Sequence, residues 1–349
     1  MRILITNSYL SDNLYVLYHY LGLKNEAEVI CSTQAFWTSS FSFDIIHLHW
    51  PEAILSCVEH QSNYFDKIKV RLDYWKKKGT KLVITRHNYK PHIARKLSSK
   101  QSEEVYDLFY TSVDAIVHHG QVSLNEFLNH SSYKKKVNVL INHPNYLINT
   151  PNKISRTEAR KMLEIEEDEA VFFSFGQIRH PEEEDIIIRG FDLLEIKKKS
   201  LIISNSFFLR NDKIKNEYYS TVKNIYAIDH KIENCHIQLY MNASDVVISP
   251  RINTLNSGVV FMGFSFGKVV IGPKHGNIGE ILAKIGNPNF TPNNTSSIAN
   301  AMKEGYSLSK LGLGEENLKY VKENCDIYRL GEEYLNLYHK LSTVIYNSL

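Results

Sequence analysis

The 349-residue chain has little cysteine: Cys31, Cys57, Cys235 and Cys325 lie far apart and form no Cys-x-x-Cys pair. That excludes a disulfide framework and a cysteine zinc site, and it fits a reducing cytosol. No apolar run is long enough to span a bilayer. The opening MRILITNSY is too short and too soon interrupted for a signal peptide, so it reads as a first buried strand. An excess of one charge is also missing, since 41 Lys and Arg against 38 Asp and Glu leave +3, and nucleic acid is not required as a partner. There is no internal repeat, no low-complexity tract and no Asp-x-Asp sequence. These absences leave a cytoplasmic globular protein whose membrane contact is at most peripheral. Lysine clusters at 76–78 with Lys81, at 134–136 and at 197–199 read as solvated helix ends. Together, the two in the first half also offer a surface for anionic lipid headgroups.

What is present is material for two cores, with 43% hydrophobic and 23% charged residues. Short β-branched runs at 3–6, 28–31, 45–49, 82–86, 115–118 and 137–142 alternate with amphipathic stretches, which is the rhythm of βαβ units. A polar linker follows at 149–156, and the rhythm restarts at 170–175, 200–204, 224–228, 245–249 and 268–272. The expected fold class is α/β, with two Rossmann-like doubly wound parallel sheets in domains 1–150 and 151–325. Residues 326–349 carry Tyr328, Tyr334, Leu335, Tyr338, Leu341 and Ile345 at helical spacing, predicting a terminal helix that packs back toward the first domain.

Open parallel sheets bind ligands beyond the carboxyl ends of their strands. In the second half, FFSFGQIRHPEEE at 172–184 puts Gly176, Gln177 and Arg179 after a strand, where glycine lets the backbone approach a phosphate and arginine neutralises it. The plain alternative is a strand-to-helix turn with a surface arginine. Asn205 follows the next strand. Asn256, Ser257 and Gly258 precede an apolar helix whose first amides suit a diphosphate, or which is simply capped. Gly276 and Asn277 lie in the loop after the strand at 268–272, and Glu280 follows as a helix cap or as an acceptor for ribose or sugar hydroxyls.

In the first half, HLHWPE at 47–52 sets His47 and His49 on one sheet face, with Trp50 as a flat stacking surface for a sugar and Glu52 beside it. A zinc reading of His-x-His has no third ligand in view. VITRHNYKPH at 83–92 collects Arg86, His87, Asn88 and His92 at one strand end, and His118 and His119 end another. So many polar side chains at strand ends are costly unless they meet a ligand or one another. His49, Trp50, Arg86, Asn88, His92 and His119 are the expected acceptor contacts.

The segment HIQLYMNASDVVISP at 236–250, with Tyr240, Asp245, Ser249 and Pro250, resembles the nucleotide-sugar glycosyltransferases of the GT-B fold, particularly the family 4 group of bacterial capsule and O-antigen synthesis. Residues 175–179 are similar to that group's donor-phosphate turn, 265–272 to its small-x-Gly-basic-Val-Val strand entry, and VITRHN to its strand ending in His-Asp or His-Asn. The resemblance covers most of the chain and is strongest over 170–282. It implies two facing domains around a cleft, the second holding a nucleotide diphosphate sugar through Gly176, Gln177, Arg179, Asn205, Tyr240, Asn256, Ser257, Gly258, Gly276, Asn277 and Glu280. The first domain would present a glycan or lipid-linked saccharide acceptor. The sequence departs from the group where its Glu-x7-Glu would fall, near Leu255 and Gly263, and where its lysine is replaced by Glu182 or Glu183.

A departing nucleotide diphosphate gathers negative charge, which Arg179 and helix-start amides would stabilise. With no Asp-x-Asp, no metal and no cofactor are expected. His87 is the first candidate for a base or for a group steadying the transferred sugar, and Glu52 the second. Two rivals are an epimerase of nucleotide sugars with the same fold and a non-catalytic binding subunit.

Overall fold

The computed structural model describes residues 1–10, 13–89, 98–210 and 221–343. His92, one of the expected acceptor contacts, and Ile345 of the terminal stripe lie outside them. The chain divides into two compact units, Met1–Pro144 with Cys325–Leu349, and Asn145–Asn324.

In the first unit, β1 (Arg2–Ile5), β2 (Glu28–Cys31), β3 (Ile45–His49), β4 (Lys81–Thr85), β5 (Ala115–His118) and β6 (Val137–Leu140) form one parallel sheet in the order β2-β1-β3-β4-β5-β6. Helical crossovers connect such strands, so the central ones are covered on both faces and read as continuous apolar runs. Ile3, Leu4, Ile45, Ile46, Leu82 and Ile84 are accordingly inaccessible to solvent. After β1 the chain enters helix Leu14–Leu23, where the side chain of Asn13 caps the Tyr15 amide at 3.1 Å. The terminal helix Ile327–Thr343 packs on it and buries Tyr334, Leu337, Tyr338 and Leu341, whereas Tyr328 stays exposed.

In the second unit, β7 (Ala170–Ser174), β8 (Lys199–Ile203), β9 (Ile225–Ala227), β10 (Val246–Ile248), β11 (Val269–Pro273) and β12 (Asn289–Phe290) form a second parallel sheet in the order β12-β11-β10-β7-β8-β9. The α/β class with two six-stranded parallel sheets is therefore observed. Residues 145–150, expected with the first domain, belong to the second unit. Asn145 Nδ2 donates to the Val321 carbonyl at 3.0 Å, and the Tyr146 amide donates to Ser265 Oγ at 3.0 Å. Asp245 locks the amino edge of this sheet: its Oδ2 accepts from Arg160 Nη2 and from the Val171 amide, both at 2.9 Å, and the Arg160 side chain is fully buried. No helix among the described residues is long and apolar enough to cross a membrane.

The two helices of the first unit meet at glycines. A methyl group on Gly331 would collide with the carbonyl oxygen of Gly22, and one on Gly22 would lie 2.5 Å from the Ile327 carbonyl oxygen. Backbone cannot yield as a side chain does, so Gly331→Ala is expected to destabilise the protein by about 1–3 kcal/mol in urea unfolding. An unchanged midpoint would mean the helices are held some other way.

Candidate active site

Each sheet has a topological switch point, where chain connections depart to opposite sides and leave a crevice at the strand ends. The strand orders place it between β1 and β3 in the first unit and between β7 and β10 in the second. The unusual residues gather at these two places.

In the first unit, alternation sends His47 and His49 to one face of β3, and Thr85 and His87 to the same side at the end of β4. His49 Nδ1 is hydrogen-bonded to His87 Nε2 at 3.0 Å. Tyr15 stands edge-on among them, its ring centre 4.7 Å from His87, 5.4 Å from His49 and His119 and 5.3 Å from His143. His119 Nδ1 meets the Ile141 carbonyl at 2.7 Å, so it carries the proton there, and the ring's other nitrogen keeps a lone pair. That nitrogen, His119 Nε2, and Asn88 Nδ2 are buried with no hydrogen-bond partner among the described residues. Such orphaned atoms mark a place for a ligand or water. Tyr15 and His143 were missed in the sequence because neither belongs to a polar cluster.

Trp50 departs from expectation. Its ring lies 4.1 Å from His87 at 16°, so His87 rather than a sugar occupies one face of the indole. Its φ of 39° is left-handed, a strained conformation for a bulky residue, held by the turn into helix Pro51–Leu55. Arg86 points away from the cluster, because it alternates with Thr85 and His87. Its guanidinium pairs with Glu126 at 2.7 Å, donates to Ser123 and lies 4.2 Å over Phe127. It is a structural residue, not an acceptor contact. Glu52 accepts a hydrogen bond from Tyr106 on helix Ser99–Ser112, and its charge holds that hydroxyl's proton on more tightly, second to burial. The zinc reading gains a third imidazole, His19, beside His47 and His49.

In the second unit, Arg179 follows β7 and Arg251 follows β10, across the switch point. The two guanidiniums are close enough to repel: Arg251 is pushed down to about 10, first by burial and then by Arg179, with Glu183 acting against both. Glu183 is buried and accepts from the Arg179 amide at 2.9 Å. Two like charges in a half-buried loop favour an anion between them. Sequence reasoning overlooked Arg251 because a lone arginine after Ser-Pro carries no motif.

The turns around these arginines are fitted to one another. Gly176 has φ 106°, its amide donates to Ser204 Oγ at 3.1 Å, and a Cβ there would sit 3.0 Å from Val259, at the start of helix Gly258–Ser265. That helix start is less free than expected. Ser257 Oγ accepts from the Val259 amide at 3.3 Å and the Ser257 carbonyl from the Val260 amide at 3.3 Å. Asn256 and Asn277 bind each other at 2.8 Å, stapling the loop after β10 to helix Gly276–Ile285. Gly276 is pressed against the loop, its Cβ position 2.9 Å from the Thr254 carbonyl. Tyr240 stacks on Phe173 at 5.7 Å and is taken up in packing. Gln177 is exposed, and Asn205 (φ 53°), after β8, and Glu280, beyond the first turn of helix Gly276–Ile285, are half-buried. His275 Nε2, which the sequence did not single out, is buried with no partner among the described residues. The positions where the family 4 carboxylates would stand are packing positions: Leu255 is fully buried, and a Cβ on Gly263 would lie 2.5 Å from Val270.

Burial holds seven histidines of the first unit neutral. His47, His49 and His87 lie well below 6.5, His19 and His143 at about 3 and His118 and His119 at about 4, with neighbouring imidazoles adding to the effect of desolvation at all but His119. Unfolded imidazoles take up protons as the pH falls through about 6.5, whereas the folded ones do not until far lower. Stability is therefore fully present above that value and lost below it, by about 1.4 kcal/mol per pH unit for each group. The melting temperature is expected to fall steeply between pH 6.5 and about 4. A flat profile over that range would show that these rings are not held neutral.

No family model and no curated protein matches the sequence. Solved structures do. Sucrose-phosphate synthase from Thermosynechococcus elongatus superposes with a TM-score of 0.73 at 12% identity, covering 98% of this chain and 99% of that one. Anabaena HepE in complex with UDP gives 0.70 at 13%, covering 97% and 100%. A glycosyltransferase from Rickettsia africae gives 0.67 at 12%, covering 97% and 98%. At such identities the likeness is one of architecture, and the chain has the GT-B fold of glycosyltransferases.

Proposed function

We propose that the protein transfers a sugar from a nucleotide diphosphate sugar to a glycan or lipid-linked saccharide acceptor, in the synthesis of bacterial surface polysaccharide. The observation that carries this is the convergence of Arg179 and Arg251 at the switch point of the second sheet, beside the start of helix Gly258–Ser265. Two arginines and a helix start suit a leaving diphosphate and require no metal ion to neutralise it. Uridine nucleotides are the first donors to test. HepE has been solved with UDP-glucose, and the Escherichia coli trehalose-6-phosphate structure contains UDP-2-fluoro glucose.

The first unit supplies the acceptor side. His87 is assigned to the transferred sugar, with His119 Nε2 and Asn88 Nδ2 as hydrogen-bonding groups for acceptor hydroxyls. Because His87 is held well below its ordinary basicity by burial and by His49, His119, His143 and His19, it serves better as a hydrogen-bonding partner of the sugar than as a base that carries a proton away. The protein works in the cytoplasm, with the first-half lysines at 76–78 and 134–136 resting on anionic lipid at the inner face of the membrane.

A thermal-shift screen across UDP-, GDP-, CMP- and dTDP-sugars tests the donor site, since a specific ligand stabilises the native state by mass action. One nucleotide class is expected to raise the melting temperature. Arg179→Ala and Arg251→Ala should each weaken that nucleotide by about 10- to 100-fold in calorimetry, the loss of a charged hydrogen bond. Binding undiminished in both variants would remove the arginine clamp. His87→Ala should lower turnover by about 100-fold while nucleotide affinity stays put. Turnover at the wild-type rate would end the assignment, and turnover abolished by EDTA would end metal independence.

A further inference from the structure

Six side chains of the first unit stand in single file. Thr85 Oγ1 is 2.7 Å from His47 Nε2, and His47 Nδ1 is 2.5 Å from Tyr338 Oη. Tyr338 Oη is 3.0 Å from His19 Nε2, and His19 Nδ1 is 2.9 Å from His49 Nε2. His49 Nδ1 then reaches His87 Nε2 at 3.0 Å. The members come from β3, from β4 and the loop after it, from helix Leu14–Leu23 and from the terminal helix Ile327–Thr343. All six are buried.

A neutral imidazole offers one N–H and one lone pair, and a hydroxyl passes on a hydrogen bond in the direction it receives one. His19, His47 and His49 each use both ring nitrogens within the file. With the Tyr338 hydroxyl proton kept within the file, all five bonds can be made in only two proton arrangements, every donor pointing toward His87 or every donor pointing away. Any other arrangement sets two N–H groups or two lone pairs face to face, or turns the Tyr338 proton out of the file, in a buried site, which is costly. The proton position on His87 is thus tied to that on His47, four bonds back along the file.

We propose that this file ties the tautomer of His87 to those of His49, His19 and His47 and holds the set in one of the two arrangements, so that Tyr338, His19, His47, His49 and Thr85 are positioning residues for the ring that meets the transferred sugar. The catalytic part of this rests on the role assigned to His87 above. A fixed tautomer means that the sugar always meets the same kind of group, donor or acceptor, at the outer nitrogen. The same histidines bring nitrogens within 4.8 Å of one another, as metal ligands would. However, His19 Nδ1 and His49 Nε2 are 2.9 Å apart, the spacing of a shared proton. Tetrahedral zinc would hold two imidazole nitrogens about 3.3 Å apart.

The test uses the full chain with 15N-labelled histidine. Two-bond proton–nitrogen correlation reads each ring's tautomer directly. In the wild type His87 is expected as a single neutral tautomer. Tyr338→Phe removes the hydroxyl in the middle of the file and Thr85→Val, an isosteric change, removes its end. Each should leave His87 as a mixture of both tautomers. Each should also lower kcat by about tenfold with the donor KM within about twofold. His87 resonances unchanged in the folded variants would overturn the proposal, as would stoichiometric zinc in the purified wild type. If the wild type turns over no nucleotide sugar, the role assigned to His87 fails, while the resonances still decide whether the file sets its tautomer.

Discussion

Each sheet grows outward to both sides of its first strand, and that single constraint places the chemistry. Helices leaving β1 and β3, or β7 and β10, run back along opposite faces, so nothing closes over the carboxyl ends between them. Polar side chains put elsewhere in an all-parallel sheet would be buried without partners. Here they collect at the two openings, as histidines in the first unit and arginines in the second. Permanent positive charge suits a phosphate, and neutral rings suit hydroxyl groups.

The strands were legible because doubly covered strands need unbroken apolar, β-branched runs, and eleven of the twelve were anticipated. Asn289–Phe290 was not, since two residues carry no pattern. The side chains that gather at the two openings were legible only in outline. His49, His87 and His119 were found from their place at strand ends, but the same rule swept in Arg86, whose alternation with Thr85 and His87 turns it toward Glu126. Asn256 and Asn277 read as two ligand contacts because their hydrogen bond joins positions 21 residues apart. Arg251, His275 and Tyr15 were invisible for the opposite reason: each stands alone in sequence and acquires meaning only from what lies beside it.

Burying this many imidazoles is tolerable only because they partner one another. Desolvation strips them of charge, and the file of hydrogen bonds then satisfies the neutral rings without a carboxylate. The strained backbone of Trp50 belongs to the same arrangement, since its indole lies flat on His87. The second unit handles its polar loops differently. Ser257, Asn256 and Asn277 spend much of their capacity on holding loops together, which leaves the arginines as its principal groups for an anion.

The helix Ile327–Thr343 is made after the whole of the second unit, yet it supplies Tyr334 and Tyr338 to the interior of the first. During synthesis, the opening 144 residues therefore emerge with their imidazole interior still wet and one wall missing. The second unit can reach its native state while the first waits, and synthesis of this helix becomes the step that dries the earlier unit.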